Sequence, residues 1–206
     1  MILITGGCRS GKSAYAQHLG ESLGRRRAFV ATAPATDDEM RARIEAHRRF
    51  RHGRGWETIE EQLDLAGVLR GHPQYDLLLV DCITLWVNNL MYHNAPGSPA
   101  LDEHAIARRC KEIIDAAQAR SGTLLFVTNE VGMGIVPENA AARRYRDLVG
   151  WANRLLAASA ATVTLISCGI PWHLKQDRGD CPDFRAATAC DRSENGTAPL
   201  HGGEQE

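Results

Sequence analysis

The octet Gly6-Gly7-Cys8-Arg9-Ser10-Gly11-Lys12-Ser13 follows the apolar run Ile2 to Ile4 and satisfies the pattern G-x-x-x-x-G-K-[ST] of a nucleotide phosphate-binding loop. Such a loop dictates its surroundings. A strand must lead in and a helix must leave, because successive backbone N–H groups have to converge on one anion. Ala14, Tyr15, Ala16, Leu19 and Leu23 supply helical spacing after Ser13. Glycine is required where a side chain would hold the backbone away from the phosphates. Lys12 is expected to reach the outer phosphates and Ser13 to offer its hydroxyl to Mg²⁺, with the positive end of the departing helix adding to the field. The bland alternative, a plain glycine turn between strand and helix, does not call for the lysine and serine that follow Gly11.

At 206 residues with 44% apolar content, the chain suits one α/β domain and leaves no room for two complete enzymes. A net charge of −1 and a pI near 6.7 give no global pull towards nucleic acid or an anionic membrane, which favours small-molecule chemistry. The first strand begins at Ile2 with no charged leader or apolar signal core, and no apolar run approaches the roughly 18 residues of a membrane span, so a cytoplasmic protein is expected. The six cysteines, Cys8, Cys82, Cys110, Cys168, Cys181 and Cys190, include no C-x-x-C pair and suggest neither a zinc ribbon nor a redox dithiol. Cys8, inside the phosphate loop, is the thiol whose modification would inactivate.

Apolar runs predict strands at Met1 to Thr5, Ala28 to Thr32, Leu77 to Asp81, Thr123 to Thr128 and Thr162 to Ser167. Their continuous Val, Ile and Leu content points to strands buried on both faces. The expected fold is α/β of the P-loop NTPase type, RecA-like, with a mostly parallel sheet and helices on both faces. Ile106, Cys110, Ile113, Ile114 and Ala117 mark one crossover helix; Tyr145, Leu148, Val149, Ala152, Leu155 and Leu156 mark another, with Pro137 at its start. Asn94 to Pro99 reads as a surface loop. The domain is expected to span residues 1 to 175, followed by a poorly ordered polar tail from 176 to 206.

Asp81 ends the run Asp76-Leu77-Leu78-Leu79-Val80-Asp81, at the carboxyl edge of a buried strand, where a phosphate-loop enzyme needs an acidic partner for Mg²⁺. A turn or cap aspartate is the structural alternative. Asp37-Asp38-Glu39 opens a helix at its positive end, and Met40, Ile44 and His47 share a face of it. Periodicity alone favours a packed, backbone-bonded His47 over a catalytic one. Arg43, Arg48, Arg49, Arg51 and Arg54 crowd the segment; they form either a solvated basic face or a phosphate clamp that keeps the imidazole neutral and nucleophilic. Glu57, Glu60 and Glu61 are placed to pair with those arginines or to accept from a base or ribose. Thr128 to Asn139 begins at a strand end and so opens towards the phosphate-loop crevice, with Gly132 and Gly134 permitting close backbone approach to a ligand.

Together, the phosphate loop, Asp37-Asp38-Glu39-Met40, Arg43-Ile44 with His47, Asp81 to Leu90 and the Thr-Asn-Glu-Val-Gly-x-Gly-Ile-Val-Pro block from Thr128 closely resemble one family over roughly residues 1 to 175. It is the bifunctional adenosylcobinamide kinase and adenosylcobinamide-phosphate guanylyltransferase family of cobalamin biosynthesis. The resemblance implies phosphorylation of the aminopropanol hydroxyl of adenosylcobinamide by ATP or GTP, then transfer of GMP from GTP through a histidine-bound guanylate to give adenosyl-GDP-cobinamide. It places that histidine at His47 and puts Thr32, Ala33, Arg48, Arg49, Phe50, Arg51 and Glu60 around the guanine nucleotide. It also implies a homotrimer. Asn153-Arg154 departs from the Asn-Gln found in many members, and the tail lies outside the family core. The residues by themselves leave two alternatives: a small-molecule kinase without guanylyl transfer, and a non-catalytic nucleotide-gated module.

Overall fold

The computed structural model describes residues 1–34, 37–93 and 101–176, without the side chain of Arg43. The expected loop Asn94 to Pro99, Cys181, Cys190 and the tail from 177 lie outside the described residues.

Seven strands form one sheet in the order β3-β2-β4-β5-β1-β6-β7. They are β1 Ile2–Gly6, β2 Arg27–Ala31, β3 Trp56–Glu60, β4 Leu77–Asp81, β5 Thr123–Val127, β6 Thr162–Ser167 and β7 Ile170–Gln176. All pairings are parallel except β6 with β7. One strand, β5, stands between β1, which leads into the phosphate loop, and β4, which ends at Asp81. This is the expected α/β, RecA-like arrangement.

Two strands escape the sequence reading. Trp-Glu-Thr-Ile-Glu of β3 and Ile-Pro-Trp-His-Leu-Lys-Gln of β7 sit at the two edges, with alternating or mostly exposed side chains, so neither carries the apolar run that marks a central strand. Pro171 is tolerated at such an edge. Gln176 still pairs with Thr162, so β7 runs one residue past the domain boundary expected at 175.

Alternation along the central strands feeds two cores. Leu77 and Leu79 of β4 point to one face with Ile4, Phe29, Leu125 and Val127, and are covered by Ala16 and Leu19 of α1 (Lys12–Leu23). Leu78 and Val80 point to the other, under α3 (Leu65–Gly71), α4 (Ile83–Tyr92), α5 (Glu103–Gln118) and α6 (Ala140–Ser159). Helix α6 begins at Ala140 rather than at Pro137, because Asn139 accepts the amides of Ala141 and Ala142 and so caps it.

Helix α2 (Asp38–Arg51) is different. Asp37 caps it by accepting from the Met40 amide at 2.7 Å, and acidic first-turn and basic last-turn residues match its dipole. None of its described side chains joins either core.

Trp86 is the largest fully buried side chain, 1% exposed, with its indole N–H donating to the Leu63 carbonyl at 2.9 Å. Trp86→Ala is expected to lower the unfolding free energy in urea by about 3–5 kcal/mol; a loss under about 1 kcal/mol would contradict this packing.

Candidate active site

Parallel strands all end at one edge of the sheet, and the chemistry-bearing residues collect there. The phosphate loop leaves β1, Ala33 follows β2, Asp81 ends β4 and Asn129 follows β5. Inside the loop, the Ser10 amide donates to the Gly7 carbonyl at 3.3 Å, and Gly11 has φ +94°, a left-handed conformation suited to glycine. Gly6 is required by contact as well: a Cβ there would lie 2.4 Å from the Ile166 carbonyl oxygen. Lys12 is 8% exposed, and its ammonium donates to the Gly7 carbonyl at 2.8 Å, folding the side chain over the loop it serves.

A cavity of about 230 Å³ opens over this edge, and its lining brings together Cys8, Lys12, Ser13, His47, Arg51 and Asp81. Met40, Ile44 and His47 thus turn towards the cavity, which explains why α2 has an apolar face and yet contributes to neither core. The periodicity that favoured a packed histidine is real, but the space it faces is the cavity that Lys12, Ser13 and Asp81 also line.

Arg51 carries the clearest electrostatic signal. It is 5% exposed, its guanidinium carbon lies 3.6 Å from the centroid of the Phe29 ring, and Nε and Nη1 have no hydrogen-bond partner among the described residues. Burial lowers its pKa, partly offset by the charge of Asp81. A buried cation with unmet donors beside a phosphate loop is a ready anion partner.

The other residues of the predicted nucleotide site spread out. Arg48 pairs with Glu60, and both line a second cavity of about 530 Å³ that shares Ala31, Ala33, Ile44 and Arg51 with the first. Thr32 is fully buried: its hydroxyl accepts from the Cys82 amide at 2.7 Å, and its carbonyl accepts from Asn89 at 2.8 Å, so it holds the backbone next to Asp81. Arg49 and Phe50 line neither cavity; Phe50 stands against His18 and Arg54. Arg9 is exposed with φ +55° and also lies outside both linings.

Sequence reasoning missed several members of the first cavity. Tyr145 lines it from α6, and its hydroxyl donates to the Thr84 carbonyl at 3.2 Å. Asn129 donates to the Thr84 hydroxyl at 3.0 Å, while its own Oδ1 is buried without a partner among the described residues. Burial, reinforced by Asp81, pushes the Cys82 thiol up to about 11; burial, then Cys82, pushes the Tyr145 phenol up to about 12. Both are uncharged at neutral pH, which leaves Lys12 and Arg51 opposite Asp81 as the charges that decide the field.

Asn153 ties this edge together. It accepts from the Thr128 hydroxyl at 2.6 Å and donates to the Asn129 carbonyl at 3.0 Å and to Glu130 at 3.4 Å; Glu130 in turn accepts from Thr5 of β1 at 2.6 Å. The departure at Arg154 falls on the outer surface, where its guanidinium stacks 3.9 Å from the Trp151 ring centroid.

The oxygen donors suit Mg²⁺. Ser13 and Asp81 present a hydroxyl and a carboxylate to one cavity, and the described residues hold no cluster of three or more His, Cys, Asp or Glu that would form a cage of its own. A cation sharing its ligands with nucleotide phosphates needs no such cage.

The family model described as cobinamide kinase / cobinamide phosphate guanyltransferase matches residues 2–174. This chain belongs to that family. It is 41% identical over 184 residues to the bifunctional adenosylcobalamin biosynthesis protein CobU of Salmonella typhimurium, covering 85% of this chain and 99% of that one. The protein of the same name from Escherichia coli K12 is 40% identical over 185 residues, with 85% and 99% covered. CobP of Pseudomonas aeruginosa is 38% identical over 174 residues, with 84% and 96% covered. The family match spans every strand of the sheet except the last two residues of β7.

Arg51→Met is expected to raise KM for GTP about tenfold or more, the order of a lost charged hydrogen bond, while leaving stability in urea unchanged or higher. An unchanged KM, or a marked loss of stability, would assign Arg51 to the fold instead.

Proposed function

We propose that this enzyme first moves the γ-phosphoryl group of ATP or GTP to the aminopropanol hydroxyl of adenosylcobinamide, and then moves GMP from GTP to the product by way of His47. The observation that carries this reading is one cavity lined by His47 together with Lys12, Ser13 and Asp81.

In the first reaction the substrate hydroxyl attacks the γ-phosphorus, the bond to the β–γ bridging oxygen breaks, and the nucleoside diphosphate leaves. Phosphoryl transfer asks the protein mainly for alignment and charge neutralisation, and the loop amides with Lys12 and Arg51 supply them. In the second, a ring nitrogen of His47 attacks the α-phosphorus of GTP, a P–N bond forms and pyrophosphate departs. The phosphate oxygen of the cobinamide phosphate then attacks the same phosphorus; the P–N bond breaks and the imidazole is restored. A covalent step divides one hard nucleotidyl transfer into two easier displacements. Ser13 and Asp81 would hold Mg²⁺, whose contribution when bound is to neutralise charge on the phosphate oxygens.

Glu60, Arg48, Ala33 and Arg51 would receive the guanosine end of GTP, since the cavity they line adjoins the phosphate cavity. Thr32 would act on nucleotide binding through the backbone it holds. No helix of the described residues is long and apolar enough to cross a membrane, and the near-neutral charge supports a small-molecule enzyme with no nucleic-acid partner; a cytoplasmic location belongs to the same proposal. A homotrimer is part of the same reading: Ile170, Trp172 and Leu174 of edge strand β7 are 67%, 66% and 53% exposed, an apolar row that a neighbouring subunit would cover.

With α-labelled GTP and Mg²⁺, the wild type is expected to gain an acid-labile, base-stable label and His47→Ala none, while His47→Ala keeps γ-phosphoryl transfer. Lys12→Ala should lose both reactions, each by about 10²-fold or more. Equal labelling of His47→Ala would overturn the role of His47, and γ-phosphoryl transfer without labelled wild-type protein would reduce the enzyme to a kinase.

A further inference from the structure

The lining of the phosphate-loop cavity divides by charge. Lys12, Arg51 and Asp81 are its ionic groups, whereas Thr84 of α4, Asn129 just past β5 and Tyr145 of α6 make a neutral polar group in the same lining. These three are joined to one another. Asn129 donates through Nδ2 to the Thr84 hydroxyl at 3.0 Å, and the Tyr145 hydroxyl donates to the Thr84 carbonyl at 3.2 Å. The Thr84 hydroxyl also lies 2.8 Å from Cys82 Sγ, and the Asn129 carbonyl accepts from Asn153 at 3.0 Å, so both backbone and side chain of Asn129 are held. One atom of the group is left over: Oδ1 of Asn129 is buried without a partner among the described residues. An unmet buried acceptor is costly unless a ligand donates to it.

Its place in the site narrows the donor. The second cavity shares Ala31, Ala33, Ile44 and Arg51 with this one, but not Thr84, Asn129 or Tyr145. With the nucleoside in the second cavity, as proposed above, the neutral group belongs with the far end of the triphosphate, where a phosphoryl acceptor has to approach. Phosphoryl transfer needs a group that orients the attacking oxygen, and a side-chain amide can serve. The alternatives are committed elsewhere. Lys12 and Arg51 only donate, Asp81 is assigned with Ser13 to Mg²⁺, and burial keeps the Cys82 thiol and the Tyr145 phenol protonated at neutral pH.

We propose that Oδ1 of Asn129 accepts a hydrogen bond from the alcohol that receives the γ-phosphoryl group, turning a lone pair of that alcohol towards the phosphorus, while Thr84 and Tyr145 position the amide. This rests on the kinase reading given above and names the residue that would orient its acceptor. Asn129 takes no proton. As the new O–P bond forms and the bond to the β–γ bridging oxygen breaks, the hydroxyl proton passes to an oxygen of the phosphoryl group in transit. Guanylylation of His47 involves no alcohol and does not call on Asn129.

The test uses the full-length enzyme with ATP as donor, cobinamide as acceptor and the variants Asn129→Ala and Thr84→Val. Asn129→Ala is expected to lower kcat/KM for cobinamide about tenfold, the order of one lost hydrogen bond. KM for ATP, and the yield of GMP-labelled protein formed from GTP before any corrinoid is added, should stay within about twofold of wild type. Thr84→Val keeps the shape of the side chain but releases Nδ2 of Asn129, and is expected to lower the same kcat/KM by a smaller factor with labelling again retained. An unchanged kcat/KM for cobinamide in either variant would overturn the proposal. So would an equal loss of GMP labelling, which would assign Asn129 to the nucleotide site or to the fold; should Asn129→Ala fail to fold, Thr84→Val decides on the same readouts. A wild type that labels with GMP but leaves cobinamide unphosphorylated would instead remove the substrate reading, and this inference with it.

Discussion

Two buried cations, Lys12 and Arg51, and one carboxylate, Asp81, line one cavity at the phosphate loop. That excess of positive charge, held in a site where Cys82 and Tyr145 stay neutral, is the constraint on which the other features depend. Burying an arginine with unmet donors costs stability, a cost that a phosphate bound there, as proposed, would offset. The parallel sheet makes the arrangement possible by delivering four strand ends to one edge, where Thr32 fixes the backbone beside Asp81 and Asn153 fixes the segment that carries Asn129.

Helix α2 connects this electrostatic site to the second reaction. Its apolar side chains and His47 line the cavity that Lys12, Ser13 and Asp81 share, while its last turn carries Arg51 into that cavity and Arg48 to the neighbouring one. The two cavities meet at Ile44 and Arg51, so one nucleotide can extend from the phosphate loop to Glu60 past the imidazole. On the proposed reading, a single cradle would serve both displacements, with different phosphorus atoms of the triphosphate presented in turn.

Much of this was legible in the chain. The phosphate loop and Asp81 are local signals, because strand, glycine spacing and terminal carboxylate lie within a few residues of one another. Central strands announce themselves by runs such as Leu77 to Val80, buried on both faces. Edge strands β3 and β7 do not, since half their side chains meet water. His47 was misleading by periodicity, because a helix that lids a cavity has the same pattern as one that packs on a core. Tyr145 and Asn153 carried no site signal, and Asn129 lay in a segment expected at the crevice without being singled out, because their contacts reach residues 23 to 61 positions away, which no spacing rule covers. Arg49 and Phe50 show the converse, since neighbours of Arg51 in sequence point away from the cavities it joins.

A shared cradle is tested most directly by the pattern with which a non-hydrolysable β,γ-methylene analogue of ATP inhibits guanylylation of His47 by GTP. The account predicts competition: the apparent KM for GTP rises in proportion to the analogue while the maximal rate holds. A falling maximal rate at constant KM, or no inhibition at analogue concentrations that stop the kinase reaction, would mean that the two reactions use separate phosphate sites.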